Sequence, residues 1–438
     1  MTQAQTDIAL EPWWMPFTAN AAYKSDPRML AKASGVYYET PEGRRILDGV
    51  SGLWCVNAGH CRPEIVEAIS RQAAEMDYAP SFQMGHPIAF EFAERLRSFA
   101  PDHIENVFFS NSGSEAVDTA LKIARAYHRA NGEPDRTVLV GRERGYHGAG
   151  FGGTAVGGLD PHKVAFTPLV PDVAHLPTTH GLEVNRFSRG QPQHGAELAD
   201  GLETVISEHG ESRIAAVIVE PVSGAAGVLV PPVGYLERLA AICKEHGILL
   251  IFDEVITGFG RLGARFAAER FGLRPDMMTI AKGLTNGSVP MAATLLRGGI
   301  YDTVVAAGDG IELPHGYTYS GHPLACAAGL ATLSIHESER LWERAAALAP
   351  AFEDKLHSLA SAPHVIDVRN LGLMGAIELD PIDGRLGERA QAIFRRCFEA
   401  GVLIRITGDT IALAPALVFE EDQLDVLFGV VGEALESQ

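Results

Sequence analysis

Apolar residues in this chain gather into short blocks, separated by stretches in which they recur every three or four positions. The blocks are VFFS (107–110), TVLVG (137–141), AAVIVE (215–220), ILLIFDE (248–254), MMTIAKG (277–283) and AATLLR (292–297). Runs of this length predict buried strands. The stretches between them read as helices; over 115–130, Val117, Leu121, Ala124 and His128 share one face. Helix-length sequence also separates the 248–254 and 277–283 blocks. A βαβ order throughout predicts an α/β fold with a mainly parallel sheet and helices on both faces.

After about residue 325 the pattern changes. One long helical stretch (324–360) leads to AIELD (376–380), a helix near 386–400, GVLIRIT (401–407), TIALAPAL (410–417) and a final helix over 421–436. That order predicts a smaller α+β domain. Residues 1–60, rich in Trp, Tyr, Pro and Gly, read as an irregular arm with a small meander that belongs in part to the smaller domain. The expected division is therefore 1–60, a large domain over 61–325, and a small domain over 326–438. The polar stretch 181–197 reads as a surface excursion.

Composition narrows the function. At 46% hydrophobic and 21% charged residues, the chain has the make-up of a globular protein. A net charge of −19 argues against nucleic acid or an anionic membrane as partner. The five cysteines (Cys55, Cys61, Cys243, Cys326, Cys397) are scattered, with neither disulfide-framework nor zinc-site spacing, so reduced thiols and no metal are expected. The first cation is Lys24, which does not suit a signal peptide, and no apolar run reaches membrane-spanning length. A cytoplasmic protein is the expectation.

The chemistry is concentrated at strand ends. Asp253 closes one apolar block and Lys282 the next. In an open α/β sheet, ligands bind beyond the carboxyl ends of the strands, so both side chains are expected in one crevice. A buried lysine beside a buried aspartate suits pyridoxal 5′-phosphate (PLP), with lysine on the aldehyde carbon and aspartate on the pyridinium nitrogen. Glu254 points the opposite way along its strand and reads as structural. Ser112-Gly113-Ser114 follows a strand and opens the 115–130 helix. Alone it reads as an ordinary N-cap; beside the Asp/Lys pair it suits a phosphate. In GYHGAG (145–150), Tyr146 is placed either for packing or to stack on a cofactor ring, and His147 for a nearby hydrogen bond. Glu220 reads as a turn residue or as part of the cofactor's hydrogen-bond network.

NSGSEA (111–116), YHG (146–148), EPVSG (220–224), FDEVITGFGRLG (252–263), DMMTIAKGLTNG (276–287) and YTYSGHPLACAA (317–328) together make the chain resemble fold-type I PLP enzymes of the class III aminotransferase family. Within that family SGLWCVNAGH (51–60) and GVLIRITGDTIAL (401–413) are most similar to β-alanine:pyruvate aminotransferases. The resemblance spans nearly the whole chain. It implies Lys282 as the covalent attachment point, Asp253 on the pyridinium, Val255 under the ring and Tyr146 over it. It implies Gly113 and Ser114 at the phosphate, with Thr318 reaching the phosphate of a neighbouring subunit. It thereby implies a homodimer with shared sites, open to further pairing into a tetramer.

For substrate, Arg405 between Ile404 and Ile406 is the candidate partner for a carboxylate. Trp54, Tyr23 and Phe82 resemble pocket aromatics. Glutamate-using relatives often carry glutamate two residues before the glycine that here is Gly227, and glutamine after DEV; this chain has Ala225 and Ile256. The resemblance therefore implies ping-pong transfer from an ω-amino acid, β-alanine above all, or a primary amine to pyruvate rather than to 2-oxoglutarate. The competing readings are a PLP-dependent aminomutase and a non-catalytic PLP-binding regulator. A Rossmann dehydrogenase is disfavoured, since no GxGxxG turn follows the first expected strand.

Overall fold

The structure is a computed structural model that describes residues 8–308 and 310–437. The apolar blocks become the strands Ile104–Ser110, Val138–Arg142, Ile214–Val219, Leu249–Asp253, Met277–Ile280 and Ala292–Arg297. A seventh, Val173–Leu176, takes one edge of the same sheet. Its sequence VAHL is only partly buried and carries a histidine, so it leaves no apolar run to read. From that edge the order is Val173–Leu176, Val138–Arg142, Ile214–Val219, Leu249–Asp253, Met277–Ile280, Ala292–Arg297 and Ile104–Ser110.

Pairing is parallel as far as Met277–Ile280. Ala292–Arg297 then runs antiparallel to both of its neighbours. The sheet is mainly parallel, but the βαβ order does not hold throughout. A short 3-10 turn (Lys282–Thr285) and a few loop residues join Met277–Ile280 to Ala292–Arg297, too little chain for a helical crossover.

Alternate side chains along the strands enter different cores. Leu139, Ala216, Ile218, Leu249 and Ile251 pack with Val117, Leu121 and Ala124 of the helix Gly113–Ala130. Val138, Val140, Val217, Val219, Leu250 and Phe252 pack on the opposite side, with Leu202, Leu236 and Leu239 from two other helices. The sheet is thus buried on both faces, as its continuous apolar runs require.

Two smaller sheets complete the fold. Lys32–Ser34, Tyr37–Glu39 and Arg45–Asp48 form the expected meander, extended by Val402–Leu403 in parallel with Arg45–Asp48. Val365–Leu371, Met374–Leu379, Thr410–Leu413 and Arg405–Thr407 form the other, antiparallel and in that order.

Three expectations are corrected here. The 401–407 block is two strands in different sheets, because the chain crosses from one to the other at Ile404. The 324–360 stretch is two helices, Pro323–Ser338 and Leu341–His357, separated at Arg340, whose φ of 50° is left-handed. Between Asp253 and Met277 the only helix among the described residues is the four-residue Ala267–Arg270. Left-handed backbone at Phe259, Gly260 and Gly263 turns the chain instead. The 181–197 excursion holds one short helix, Leu182–Asn185. All five cysteines are unpaired. Among the described residues no helix is long and apolar enough to cross a membrane.

Candidate active site

Register brings the two key residues together. Asp253 ends its strand opposite Thr279 on the parallel neighbour, which stops at Ile280. Lys282 follows at the start of the short 3-10 turn, with a left-handed φ of 50°. Non-glycine backbone of this kind is sparsely populated and concentrates at functional sites. Both side chains open onto one cavity of ≈ 360 Å³.

Asp253 is 5% exposed and held from two sides. His147 Nδ1 donates to Oδ2 at 2.8 Å and the Val255 amide to Oδ1 at 3.2 Å. Because the carboxylate only accepts, His147 carries its proton on Nδ1. Its Nε2 is buried and unpartnered. Glu220 is also buried; its Oε1 accepts from the Tyr146 amide (2.9 Å) and Oε2 from the Gly224 amide (3.0 Å). Burial raises its pKa, against the pull of His147. Glu220 therefore ties two cavity-lining loops to the end of its own strand.

Burial pulls the Lys282 ammonium down to about 8, against Asp253 and Glu220, which favour the charged form. Desolvation of the charged amine explains the direction. Glu254, as expected, faces away from the cavity. Its carboxylate accepts from Ala267 N (2.6 Å), Ala268 N (2.8 Å) and Thr257 Oγ1 (3.0 Å), capping the Ala267–Arg270 turn.

The N-terminus of the helix Gly113–Ala130 also lines the cavity, close to Val255 and Ala281. Ser112 is its N-cap, accepting from Glu115 N at 3.2 Å, and does not line the cavity. Gly113 and Ser114 do. A Cβ on Gly113 would sit 3.1 Å from both Val255 methyls, so a larger residue here would have to push Val255 aside. Ser114 Oγ accepts from Ala149 N at 2.9 Å.

These features fit PLP. A helix N-terminus with no side chain in the way suits the phosphate. A buried carboxylate braced by a histidine suits a pyridinium N–H, and a desolvated lysine suits covalent attachment. Tyr146 and Val255 line the cavity between them.

Arg405 lines the far side, on the edge strand Arg405–Thr407. Burial lowers its pKa, with Tyr146 opposing. No acidic side chain pairs with it among the described residues. A half-buried guanidinium without a carboxylate is a ready site for one from a ligand. Trp54, Ala225 and Ile256 complete this end.

Other expected positions lie elsewhere in the single chain. The Tyr23 hydroxyl donates to the Arg28 carbonyl (3.0 Å), which holds it on the N-terminal arm outside the cavity. Phe82 is 60% exposed and packs against Gly316. Thr318 is exposed, with its carbonyl accepting from Tyr78 Oη (3.1 Å). Residues not anticipated also line the cavity: Phe17, Leu53, Leu159, His162 and Thr407. Thr407 was legible, since it lies two residues past Arg405 on the same strand face. Phe17, Leu159 and His162 come from irregular segments without a period to read. The His162 ring stands 5.7 Å from Tyr146 and 5.3 Å from Phe17.

Comparison with known proteins agrees with this arrangement. The family profile described as Aminotransferase class-III matches residues 18–435. An omega-aminotransferase of Caulobacter vibrioides is 59% identical over 97% of this chain and 97% of its own. A beta-alanine--pyruvate aminotransferase of Pseudomonas aeruginosa is 48% identical, covering 98% of this chain and 96% of that protein. Among solved structures, a PLP-bound amine transaminase from an uncultivated Pseudomonas species superposes with a TM-score of 0.90 at 38% identity, over 98% of this chain and 99% of that one.

Proposed function

The chain belongs to the class III aminotransferase family, and from that premise we propose that it moves an amino group from β-alanine, another ω-amino acid or a primary amine to pyruvate, giving alanine. It has the α/β fold of the fold-type I PLP transferases. The observation that carries the proposal is that Lys282 and Asp253, at neighbouring strand ends, share one cavity with the unpaired Arg405. The names of relatives supply the substrate classes: one acts on β-alanine and pyruvate, another on ω-amino acids and pyruvate.

PLP is the family's cofactor, and when bound it withdraws electrons from the amine-bearing carbon of the substrate, which acidifies the hydrogen there. Lys282 would hold it covalently; once displaced, its Nζ is suited to carry the proton between carbons, because burial keeps much of the amine neutral near pH 8. Asp253, braced by His147, would keep the ring nitrogen protonated. Gly113 and Ser114 would take the phosphate at the helix start. Arg405 would bind the carboxylate of pyruvate, with Trp54 and Ala225 shaping the space around it.

Thr318 and Phe82 are exposed beside one another's neighbours, Gly316 and Tyr78, on a surface that includes Tyr319. This supports a homodimer in which that surface serves the partner's site, and further pairing to a tetramer is compatible with it.

The test is a pair of half-reactions. β-Alanine added alone to the holoenzyme should bleach the cofactor band, and pyruvate should restore it with alanine formed. Bleaching by other amines only would keep the family and change the donor. Turnover with 2-oxoglutarate should be slower than with pyruvate; the reverse order would refute the reading of Ala225.

A further inference from the structure

A second concentration of buried charge lies behind the wall of the cavity. It forms where His180 and Phe187, the 224–229 loop and the strands Val365–Leu371 and Met374–Leu379 meet. Arg369 is at its centre, 5% exposed. Its Nη1 donates to Asp367 Oδ2 at 2.6 Å and to Glu378 Oε2 at 2.5 Å. The rest of the fork points the other way. Nε and Nη2 donate to the Gly227 carbonyl at 2.9 and 2.7 Å, and Nε also reaches the Val228 carbonyl at 3.2 Å. His180 Nε2 lies 3.2 Å from the same Glu378 oxygen, and the Phe187 amide donates to Asp367 Oδ1 at 2.5 Å. Asp367, one of the two carboxylates that aim the guanidinium, is thus itself held by backbone.

The loop it grips is a wall of the substrate site. Ala225 lines the cavity, and the carbonyls of the next three residues all accept from arginines: Ala226 from Arg144 (3.2 Å), Gly227 and Val228 from Arg369. Gly227 has a φ of 102°, and a Cβ there would sit 3.2 Å from Arg369 Nη2 and 3.0 Å from Thr410 Cγ2. The backbone at Gly227 therefore lies directly on the guanidinium and on the small sheet. That same sheet carries Arg405 on its opposite edge strand, with Met374–Leu379 and Thr410–Leu413 between it and Val365–Leu371.

We propose that Arg369 is a positioning residue that sets the spacing between Ala225 and Arg405, and so determines how well the pocket takes a carboxylate-bearing acceptor. Arginine suits the task because its planar fork bonds carboxylates on one edge and carbonyls on another at once. Lysine keeps the charge between Asp367 and Glu378 but cannot span both sets. The proposal rests on the reading of the cavity as an amino-acceptor site.

The test compares Arg369→Lys holoenzyme with the wild type on pyruvate and on a short uncharged aldehyde, each at saturating amine donor. The expected result is a pyruvate KM raised roughly ten- to a hundredfold, the scale of a small misplacement in an active site. The kcat, the aldehyde kcat/KM and the cofactor absorbance should stay near wild type. A general loss of structure would lower both acceptors alike, and that result, or an unchanged pyruvate KM, overturns the proposal. Glu378→Gln, which leaves the Arg369 bonds to Gly227 in place, should raise the pyruvate KM by a smaller factor. If Arg369→Lys does not fold, this variant decides, and an unchanged KM again overturns the proposal. An inactive wild type would defeat the aminotransferase reading together with the clamp; an active wild type with unaltered variants defeats the clamp alone.

Discussion

Burial lowers the Lys282 ammonium from 10.5 to about 8, and that shift has a direct kinetic consequence. Only the neutral amine attacks an aldehyde. The rate at which apoprotein recaptures PLP should therefore rise about tenfold per pH unit below the shifted value and then level off. Stopped-flow absorbance of the bound cofactor checks this. A rate still climbing towards 10.5 would mean that the site does not depress the amine. Lys282 and Asp253 were both legible as charged residues closing apolar runs. The pairing of His147 with Asp253 was not: the sequence shows a histidine between glycines, and only the packing of two strand ends puts its Nδ1 2.8 Å from the carboxylate.

Elements decide how these residues are presented. Alternation along the strand sends Asp253 into the cavity and Glu254 away from it, where it caps a short helix. Glu254→Ala would leave the amides of Ala267 and Ala268 buried and unpaired. A destabilisation of about 2–5 kcal/mol is expected, read as a lowered midpoint in thermal or denaturant unfolding. A change within experimental error would show that the turn re-forms its bonds elsewhere. The Ser51–Trp54 turn behaves differently. Ser51, Gly52 and Trp54 all have left-handed φ values, of 50°, 68° and 64°. Asp48 holds it through the amides of Val50 (3.2 Å) and Gly52 (2.6 Å), and Ser51 Oγ is tied to the Ala414 carbonyl (2.6 Å). This strained turn delivers Leu53 and Trp54 to the cavity. A motif marks the position of Trp54; the turn that orients it is tied to Ala414, just past the strand Thr410–Leu413 and more than three hundred residues away in sequence.

At the scale of the molecule, one chain does not gather every expected site residue into its own cavity. Thr318 and Phe82 stay on the surface. If Thr318 serves a partner's phosphate, a mixed oligomer gives a sharp test. Thr318→Ala and Lys282→Ala chains, each weak or inactive alone, should regain activity when co-assembled. One of the two shared sites then has Lys282 from one copy and Thr318 from the other, both intact. No recovery in a verified mixed dimer would place each site within a single chain. The clamp of Arg369 also belongs to this scale, because it joins an outer strand of the small sheet to a loop of the large one.

The sequence by itself determined the strand blocks of the central sheet, the change of texture near residue 325 and the Asp253/Lys282 pair, because buried parallel strands and their charged ends leave local, contiguous patterns. It also determined the family, through motifs spread along nearly the whole chain. Tertiary structure alone decided what has no local pattern. The half-buried edge strand Val173–Leu176 is interrupted by His175, so no unbroken apolar run marks it. The reversal of Ala292–Arg297 is an exception, since the short connection before it could have been read from the sequence. The crossing of 402–407 between two sheets depends on partners, Arg45–Asp48 and Thr410–Leu413, that differ in their distance along the chain. Phe17, Leu159 and His162 reach the cavity from irregular segments. Such contacts arise from long-range packing, in which residues far apart in sequence fill the same space.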